Sequence, residues 1–222
     1  MKNLNKISAS ILSANLTCLS ADINKVLKLG INRLHFDVMD YHYVPNLTFG
    51  PLLLRSLRDN GINTYVDVHL MSTCINNFTK EFSKLERVSS IVFHPEACKN
   101  INYSLSLIKD SGIESGLALS PNTNFSIVKK FLHKIDRILV LGVNPGFSSQ
   151  IFIESTYPKI RYLSSLIKDV SRKIIIEVDG GVNLKNISYI ESSGASSFVM
   201  GSAIFNSSNY KYILKKISEK LG

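Results

Sequence analysis

Short apolar runs rich in β-branched residues recur along this chain at nearly even spacing, which leaves few folds open to it. Turn residues bound each run, and apolar residues occupy both of its faces, as in strands buried within a parallel sheet. Eight such runs occur in the 222 residues: Ile7–Leu12, Arg33–Met39, Thr64–Leu70, Ser90–His94, Ser115–Leu119, Arg137–Val143, Lys173–Val178 and Ser197–Met200. We therefore expect eight parallel β-strands.

Helical patterns separate these runs, so that strand and helix alternate to the end of the chain. They cover Cys18–Leu29, Leu52–Arg58, Ile101–Ile108, Phe125–Leu132, Tyr157–Ile167 and Tyr210–Leu221. A repeat of roughly 25–30 residues matches one βα unit, and eight units close into a barrel whose active site lies at the C-terminal strand ends. A doubly wound open sheet is disfavoured because no Gly-x-Gly-x-x-Gly motif follows the first strand. We predict an α/β fold, a single (β/α)8 TIM barrel over residues 1–222.

The cysteines and the apolar segments bear on the compartment of the protein. Cys18, Cys74 and Cys98 lie far apart without a Cys-x-x-Cys pair, so we expect buried thiols in a reducing compartment. Serines interrupt the apolar residues near the N-terminus too early for a signal sequence, and no stretch approaches the roughly 18 apolar residues of a membrane span. These observations predict a cytoplasmic protein with no membrane partner.

The net charge of +9 is carried by scattered lysines. A nucleic-acid site would combine a basic run with interleaved aromatic residues, and none occurs, so we expect no nucleic-acid partner. A mild positive field would instead help to gather an anionic substrate.

Ionisable residues mark the ends of the second and third predicted strands. His35 and Asp37 are two residues apart, so they face the barrel interior together, where ionisable groups are costly unless paired or bound to a metal. His69 reaches the same depth on the third strand, which favours metal ligands over a simple hydrogen-bonded pair. Asp67 lies two residues deeper and is either a partner that orients a histidine, which we favour, or a buried structural acid.

The seventh predicted strand ends in a fourth candidate ligand. Asp179 follows the apolar run, precedes Gly180 and Gly181, and would lie across the barrel mouth from Asp37. A helix N-cap is the alternative role for such an aspartate, but the neighbouring candidate ligands favour metal binding. Two histidines and two carboxylates suit Zn²⁺, Fe²⁺, Mn²⁺ or Co²⁺, of which we favour Zn²⁺ and Fe²⁺.

Glycine-bearing turns end the sixth, seventh and eighth predicted strands. They are Asn144–Ser149, Asp179–Gly181 and Gly201–Ala203. In barrels, phosphate is bound by the loops after the last strands through backbone N–H groups. A single Gly-Gly pair usually marks only a turn, but three such turns at adjacent strand ends, beside candidate metal ligands, predict a ligand that carries a phosphate group.

Seven motifs stand in the order typical of one enzyme family and run from Ser8 to Phe205. They are Ser8–Ala14, His35–Asp40 with Val44–Asn46, Asp67–Met71, Phe93–Ala97, Val143–Phe147, Val178–Val182 and Gly201–Phe205. At these motifs the chain closely resembles the ribulose-phosphate 3-epimerase family.

The resemblance implies an isomerase that interconverts D-ribulose 5-phosphate and D-xylulose 5-phosphate through an enediolate, a step of the pentose phosphate pathway. It implies one divalent metal per chain held by His35, Asp37, His69 and Asp179, with Asp37 as proton acceptor and Asp179 as proton donor. It further implies a homo-oligomer and an apolar pocket wall of Met39 and Met71. The substrate contacts that it implies are Ser10, His69, Gly146, Phe147, Ser148, Ser149, Asp179, Gly180, Gly181, Gly201 and Ser202.

The chain departs from the family at a few positions. Ser148 and Ser149 replace a usual Gly-Gly pair, so any positive φ needed there is less easily reached. Leu141 replaces a common methionine, Asn15 a common aspartate, and Tyr41 a usual Gly or Asn. None of these changes removes a metal ligand, so we expect the chain to be active.

Three other functions differ from this one in the residues that they require. An epimerase of a six-carbon ketose phosphate, such as allulose 6-phosphate, needs the same chemistry with a longer pocket and stays open as an alternative. A metal-free lyase or decarboxylase would normally place a lysine near the reacting carbon, and none occurs at the ends of strands two, three or seven. A non-catalytic binding protein would not need all four candidate metal ligands.

Overall fold

The computed structural model describes residues 2–222, and its strands close into a barrel. Each strand pairs in parallel with the next one along the chain, and the last pairs with the first. The strands are β1 (Ile7–Ser10), β2 (Arg33–Met39), β3 (Tyr65–Met71), β4 (Val88–Phe93), β5 (Glu114–Leu119), β6 (Arg137–Leu141), β7 (Ile175–Asp179) and β8 (Ser197–Met200). The predicted TIM barrel is confirmed.

Helices connect the strands. In residues 2–222 the α-helices are α1 (Leu19–Lys28), α2 (Pro51–Asp59), α3 (Ile75–Phe82), α4 (Ile101–Asp110), α5 (Thr156–Ile167), α6 (Ile187–Ser192), α7 (Ser202–Phe205) and α8 (Tyr210–Lys220). Of these, α3, α6 and α7 were not predicted, because each spans at most eight residues and so covers too few turns for a helical period to be recognised. None of the helices described is long and apolar enough to cross a membrane.

The helical pattern predicted between the fifth and sixth strands is wrong in type. The structure has a 3₁₀-helix at Phe125–Phe131 instead of an α-helix over Phe125–Leu132. Its buried residues, Val128 and Phe131, are three residues apart, and side chains at this spacing eclipse one another in a 3₁₀-helix. The same spacing also occurs on one face of an α-helix, so the pattern did not distinguish the two.

The main core lies between the outer face of the barrel and the helices. In α1, for example, Leu19, Ile23 and Val26 are buried at intervals of four and three residues, which gives the helix one apolar face. Cys18 and Cys74, which we expected to be buried, are exposed just before α1 and α3, and Cys98 is half-buried. The core thus excludes Cys18 and Cys74, whereas Cys98 packs against it.

Charged side chains occupy the barrel interior near the N-terminal strand ends. Arg137, the first residue of β6, is 2% exposed and donates hydrogen bonds to Glu177 (2.9 Å) and Glu114 (3.0 Å). A buried guanidinium is costly unless such partners surround it, so this ion cluster ties β5, β6 and β7 together from within.

Asp67 belongs to the same polar layer and does not orient a histidine, so the role that we favoured for it is wrong. Its carboxylate accepts hydrogen bonds from Ser8 (3.0 Å), Arg33 (2.8 Å) and Ser90 (2.6 Å). These donors occupy its oxygen atoms, and no histidine among the described residues bonds to it. Asp67 is therefore the buried structural acid of the alternative interpretation.

Candidate active site and metal centre

The four predicted metal ligands meet at the C-terminal mouth of the barrel. Asp37 on β2 is directly opposite His69 on β3 in the parallel pairing, and His35 precedes Asp37 by two residues on the same strand face. Asp179 is the last residue of β7 and reaches the same mouth from the other side. Strand period and barrel closure therefore bring together all four residues.

The distances between these side chains are short. His35 Nε2 lies 3.3 Å from Asp37 Oδ1 and 3.6 Å from Asp179 Oδ2. His69 Nδ1 lies 3.1 Å from Asp37 Oδ1 and 3.7 Å from Asp179 Oδ2. One candidate ligand atom from each of the four residues lies within 4.8 Å of the other three. Ligand atoms on opposite sides of one ion, each bound at about 2.0–2.2 Å, are ~4 Å apart, so the cluster is close to metal-binding dimensions.

The environment of His35 supports a metal at this position. The ring is fully buried, and neither of its nitrogen atoms has a hydrogen-bond partner. An unsatisfied buried imidazole is costly, yet its Nε2 is directed at two carboxylates. A divalent cation shared with Asp37 and Asp179 would satisfy that nitrogen, and the donor set of nitrogen and oxygen atoms suits the metals predicted from the sequence.

The two aspartates have opposite protonation tendencies. Burial alone would raise the pKa of Asp37, but the positive charge of His35 and the hydrogen bond with His69 hold it well below its usual range. Burial, together with the negative charge of Asp37, raises the pKa of Asp179 to about 7. At neutral pH, Asp37 is therefore ionised, whereas Asp179 is able to hold a proton.

A cavity that is partly open to solvent lies over the two aspartates. His35 and His69 are fully buried and do not line it, although His69 is among the predicted substrate contacts. The other predicted contacts all line the cavity, together with both residues of the predicted pocket wall: Ser10, Gly146, Phe147, Ser148, Ser149, Asp179, Gly180, Gly181, Gly201, Ser202, Met39 and Met71. Met39 and Met71 also pack together with Val44 in one small apolar cluster.

The loop that follows β7 depends on its two glycines. Gly180 and Gly181 have φ values of 91° and 71°, in the left-handed region that favours glycine. A Cβ atom on Gly181 would lie 2.6 Å from the backbone nitrogen of Phe152, so the site also demands a residue without a side chain. The two glycines therefore allow the backbone to turn sharply along the cavity wall.

The loop between β6 and α5 contains a residue other than glycine in the left-handed backbone conformation. Ser149 has φ 62°, at a position where the resemblance led us to expect glycine. The side chain of Gln150 donates hydrogen bonds to the carbonyl oxygens of Asn144 (2.7 Å) and Phe147 (2.9 Å), which holds the loop in this shape. We expected positive φ to be less easily reached without glycine, but Ser149 adopts it nevertheless.

The sequence analysis assigned no role to a group of polar residues that lies beside the site. His94, one residue past β4, is fully buried, and its Nε2 lies 2.9 Å from Nε2 of His69. Its other ring nitrogen lies 3.2 Å from Ser120 Oγ, and Tyr43 and Glu96 complete the group. The period of two along β4, through Ser90 and Val92, was a signal that the ring of His94 points inward.

Two solved structures have the same fold. KGPDC from Streptococcus mutans matches with a TM-score of 0.69 at 13% identity, covering 96% of this chain and 95% of that one. A mutant tryptophan synthase alpha-subunit from Pyrococcus furiosus matches with a TM-score of 0.66 at 15% identity, covering 97% and 98%. At such identities the likeness concerns the fold alone. With the four-residue cluster at its mouth, the chain is a (β/α)8 barrel with a candidate metal centre.

Sequence comparison places the chain more narrowly. The model of the Ribulose-phosphate 3 epimerase family matches residues 6–205. A Buchnera aphidicola (subsp. Acyrthosiphon pisum, strain APS) protein named ribulose-phosphate 3-epimerase is 46% identical over 215 residues, which cover 97% of this chain and 94% of that protein. The protein of the same name from Escherichia coli (strain K12) is 43% identical over 215 residues, covering 97% and 95%. The chain belongs to the ribulose-phosphate 3-epimerase family.

Proposed function

We propose that this chain is a metal-dependent epimerase that interconverts D-ribulose 5-phosphate and D-xylulose 5-phosphate by inversion at C3. The observation that carries the proposal is the pair of carboxylates, Asp37 and Asp179, with opposite protonation tendencies at one cavity floor. Such a pair is what a proton exchange on two faces of one carbon requires. The names of the relatives at 43% and 46% identity support the choice of substrate.

The proton transfers are assigned to the two aspartates. Asp37 removes the proton from C3, and the electrons of the broken C–H bond move into the C2 carbonyl to give an enediolate. Asp179 then delivers its proton to the opposite face of C3, which inverts that centre. Ser10 donates a hydrogen bond to Asp37 Oδ2 (3.0 Å), the oxygen that does not face the histidines, and so orients the acceptor.

Four residues, His35, Asp37, His69 and Asp179, are proposed to hold one divalent ion. A divalent ion, when bound there, supplies positive charge that stabilises the enediolate and makes the C3 proton easier to remove. We propose that the loops containing Ser149, Gly180 and Ser202 bind the phosphate through their backbone N–H groups, because all three line the cavity. The apolar wall of Met39 and Met71 then limits the access of water to the intermediate.

The absence of a lysine from the cavity supports an epimerase over a lyase or decarboxylase. In residues 2–222, no lysine lines the cavity. Lys159, buried nearby, donates hydrogen bonds to the carbonyl oxygens of Ser120 (2.9 Å) and Pro121 (3.0 Å), so its ammonium group is engaged in structure.

Isotope exchange in heavy water tests the proposal. The purified protein, given ribulose 5-phosphate, should place deuterium at C3 of the xylulose 5-phosphate that it forms, as followed by NMR. Chelation should abolish turnover, and re-addition of Zn²⁺ or Fe²⁺ should restore it. Product without deuterium at C3, or full activity in a preparation with no metal, would exclude the mechanism. Comparison of kcat/KM for ribulose 5-phosphate and allulose 6-phosphate decides the carbon number of the substrate.

A further inference from the structure

His94 lies behind the candidate metal centre and outside the cavity. The two ring nitrogens of His69 face different neighbours: Nδ1 lies 3.1 Å from Asp37 Oδ1, and Nε2 lies 2.9 Å from Nε2 of His94. The ring of His94 is fully buried, so water does not compete for this contact. Within residues 2–222, the only group at hydrogen-bond distance from Nε2 of His69 is therefore another imidazole.

Two imidazole nitrogens at this distance form a hydrogen bond only if one carries a proton and the other does not. Metal ligation by His69 through Nδ1 uses the lone pair of that atom and leaves the proton on Nε2. Nε2 of His69 must then donate, and Nε2 of His94 must accept. The remaining proton of a neutral His94 is thereby placed on its Nδ1.

The neighbours of His94 are arranged for that same proton position. Its Nδ1 lies 3.2 Å from Ser120 Oγ, and Ser120 Oγ lies 3.2 Å from the hydroxyl of Tyr43. The Tyr43 hydroxyl donates to Glu96 Oε1 at 2.8 Å. Because an ionised carboxylate only accepts, Tyr43 donates to Glu96, Ser120 donates to Tyr43, and His94 donates to Ser120. The hydrogen bonds run in one direction, from His69 to a surface carboxylate.

Packing keeps the chain of hydrogen bonds in place. The ring of Tyr43 lies against that of His94, with centroids 4.7 Å apart and an interplanar angle of 32°. Thr123 donates a further hydrogen bond to Glu96 at 2.9 Å, which leaves the carboxylate little freedom to turn away. A reversed direction would require a proton on Glu96, which these donors disfavour.

We infer that His94 is a positioning residue for the metal centre: it accepts the Nε2 proton of His69 and so presents Nδ1 of His69 to the ion. The inference rests on the proposed function, because it assumes that His69 binds a metal. Partners of this kind fix the tautomer and orientation of a ligating histidine and raise its basicity. Ser120, Tyr43 and Glu96 act on the metal only through His94.

The tautomers of the two histidines give the direct test in the wild-type protein. In protein that carries ¹⁵N-labelled histidine and is loaded with Zn²⁺, long-range ¹H–¹⁵N NMR assigns each ring nitrogen. The expected result is a proton on Nε2 of His69 and on Nδ1 of His94. A proton on Nε2 of His94 would overturn the inference, because that atom would then be a donor facing the metal ligand.

Two variants of His94 test the consequence for zinc affinity. His94→Phe keeps a flat ring but removes the acceptor, so zinc binding should weaken about 10- to 100-fold in a competition titration with a chelator. His94→Gln supplies a carbonyl acceptor for His69 and an amide donor for Ser120, so it should bind zinc within a few-fold of wild type. The exposed His133→Gln is the control, for which zinc affinity should not change.

The outcomes separate this inference from the proposed function. If the wild-type protein binds zinc and epimerises, and His94→Phe binds zinc as tightly, the inference is overturned and the proposed function stands. If the wild-type protein binds no divalent metal, both are overturned. The tautomer measurement needs no variant, so it decides the matter even if His94→Phe does not fold.

Discussion

Asp37 and Asp179 carry the same carboxyl group in different surroundings. Asp37 is in contact with Ser10, His35 and His69, all of which stabilise its ionised form, and its side chain is 6% exposed. Asp179 is 14% exposed and lies in the field of the ionised Asp37, which together with burial raises its pKa to about 7. Two chemically identical side chains thus have pKa values shifted in opposite directions, as the proposed roles of base and acid require.

Replacing either aspartate by asparagine should therefore nearly abolish epimerisation. Asp37→Asn and Asp179→Asn each remove a positioned acid or base, which is typically worth about 10²–10⁴ in rate, and each also removes a candidate metal ligand. Initial rates and metal content should be measured together, with the exposed Asp110→Asn as the control. A variant that keeps its metal but not its activity supports the proton-transfer role, and near wild-type turnover in either variant would refute it.

The protonation of His35 predicts how metal affinity depends on pH. Burial alone lowers the pKa of His35, but the charges of Asp37 and Asp179 more than offset this and raise it to about 10. Protein stripped of its metal therefore holds a proton on His35 at neutral pH, and an incoming ion must displace it. Because the pKa is raised, affinity should increase with pH, about tenfold per unit for each proton released, until the pH approaches that pKa.

Chelator competition at pH 7.5 and 8.5, with proton release measured in dilute buffer, checks this dependence. The raised pKa of Asp179, about 7, adds a second displaced proton only at lower pH. Zinc affinity that does not change between the two pH values would show that His35 is already neutral before the metal binds.

At the scale of elements, two loops form one wall of the cavity. The side chain of Asn46, in the loop after β2, donates a hydrogen bond to the carbonyl oxygen of Gly146 at 2.6 Å. Thr48, in the same loop, donates to the carbonyl oxygen of Asp37 at 2.6 Å, so the loop is anchored next to the proposed base. The loop after β6 is thus held to the loop after β2, which is in turn bonded to β2 itself.

The left-handed Ser149 makes the loop after β6 sensitive to substitution. Ser149→Val places a β-branched side chain at φ 62°, which should lower the free energy of unfolding by about 1–2 kcal/mol and raise KM for ribulose 5-phosphate. Ser149→Gly removes the steric conflict and should preserve KM. The exposed Ser155→Val in the same loop is the control, because Ser155 has a φ of −63° and does not line the cavity. Urea unfolding and steady-state kinetics check both effects, and equal losses in Ser155→Val and Ser149→Val would contradict the explanation.

At the scale of the whole molecule, the barrel has a charged layer in its interior and an apolar core between its outer face and the helices. Arg137 contacts acids from two neighbouring strands, Glu114 on β5 and Glu177 on β7, and a third acid, Asp67 on β3, lies 3.9 Å away across the interior. These contacts join strands that are distant in sequence.

Removal of the central cation should therefore destabilise the entire barrel. Arg137→Leu leaves Glu177 buried without its partner, which should cost about 3–5 kcal/mol in the free energy of unfolding. The double variant Arg137→Leu/Glu177→Leu should recover part of that loss, since it removes the unpaired charge. Chemical denaturation gives these values, with the exposed Arg55→Leu as the control. Unchanged stability of Arg137→Leu would mean that the cluster does not hold the strands together.

Local patterns in the chain were enough to locate the strands and the four candidate metal ligands. Strand residues two apart share a face, and all parallel strands end at the same mouth, so His35, Asp37, His69 and Asp179 could be brought together without coordinates. The glycine turns and the family motifs were readable for the same reason, because each is a contiguous segment.

Contacts between segments were not readable in this way. The hydrogen bond between His69 and His94, the donors around Asp67 and the differing pKa values of Asp37 and Asp179 depend on side chains from several strands. Periodicity states which way a side chain points, whereas hydrogen bonding and electrostatics depend on distances of a few ångströms between residues far apart in sequence. Those distances exist only once the barrel has closed.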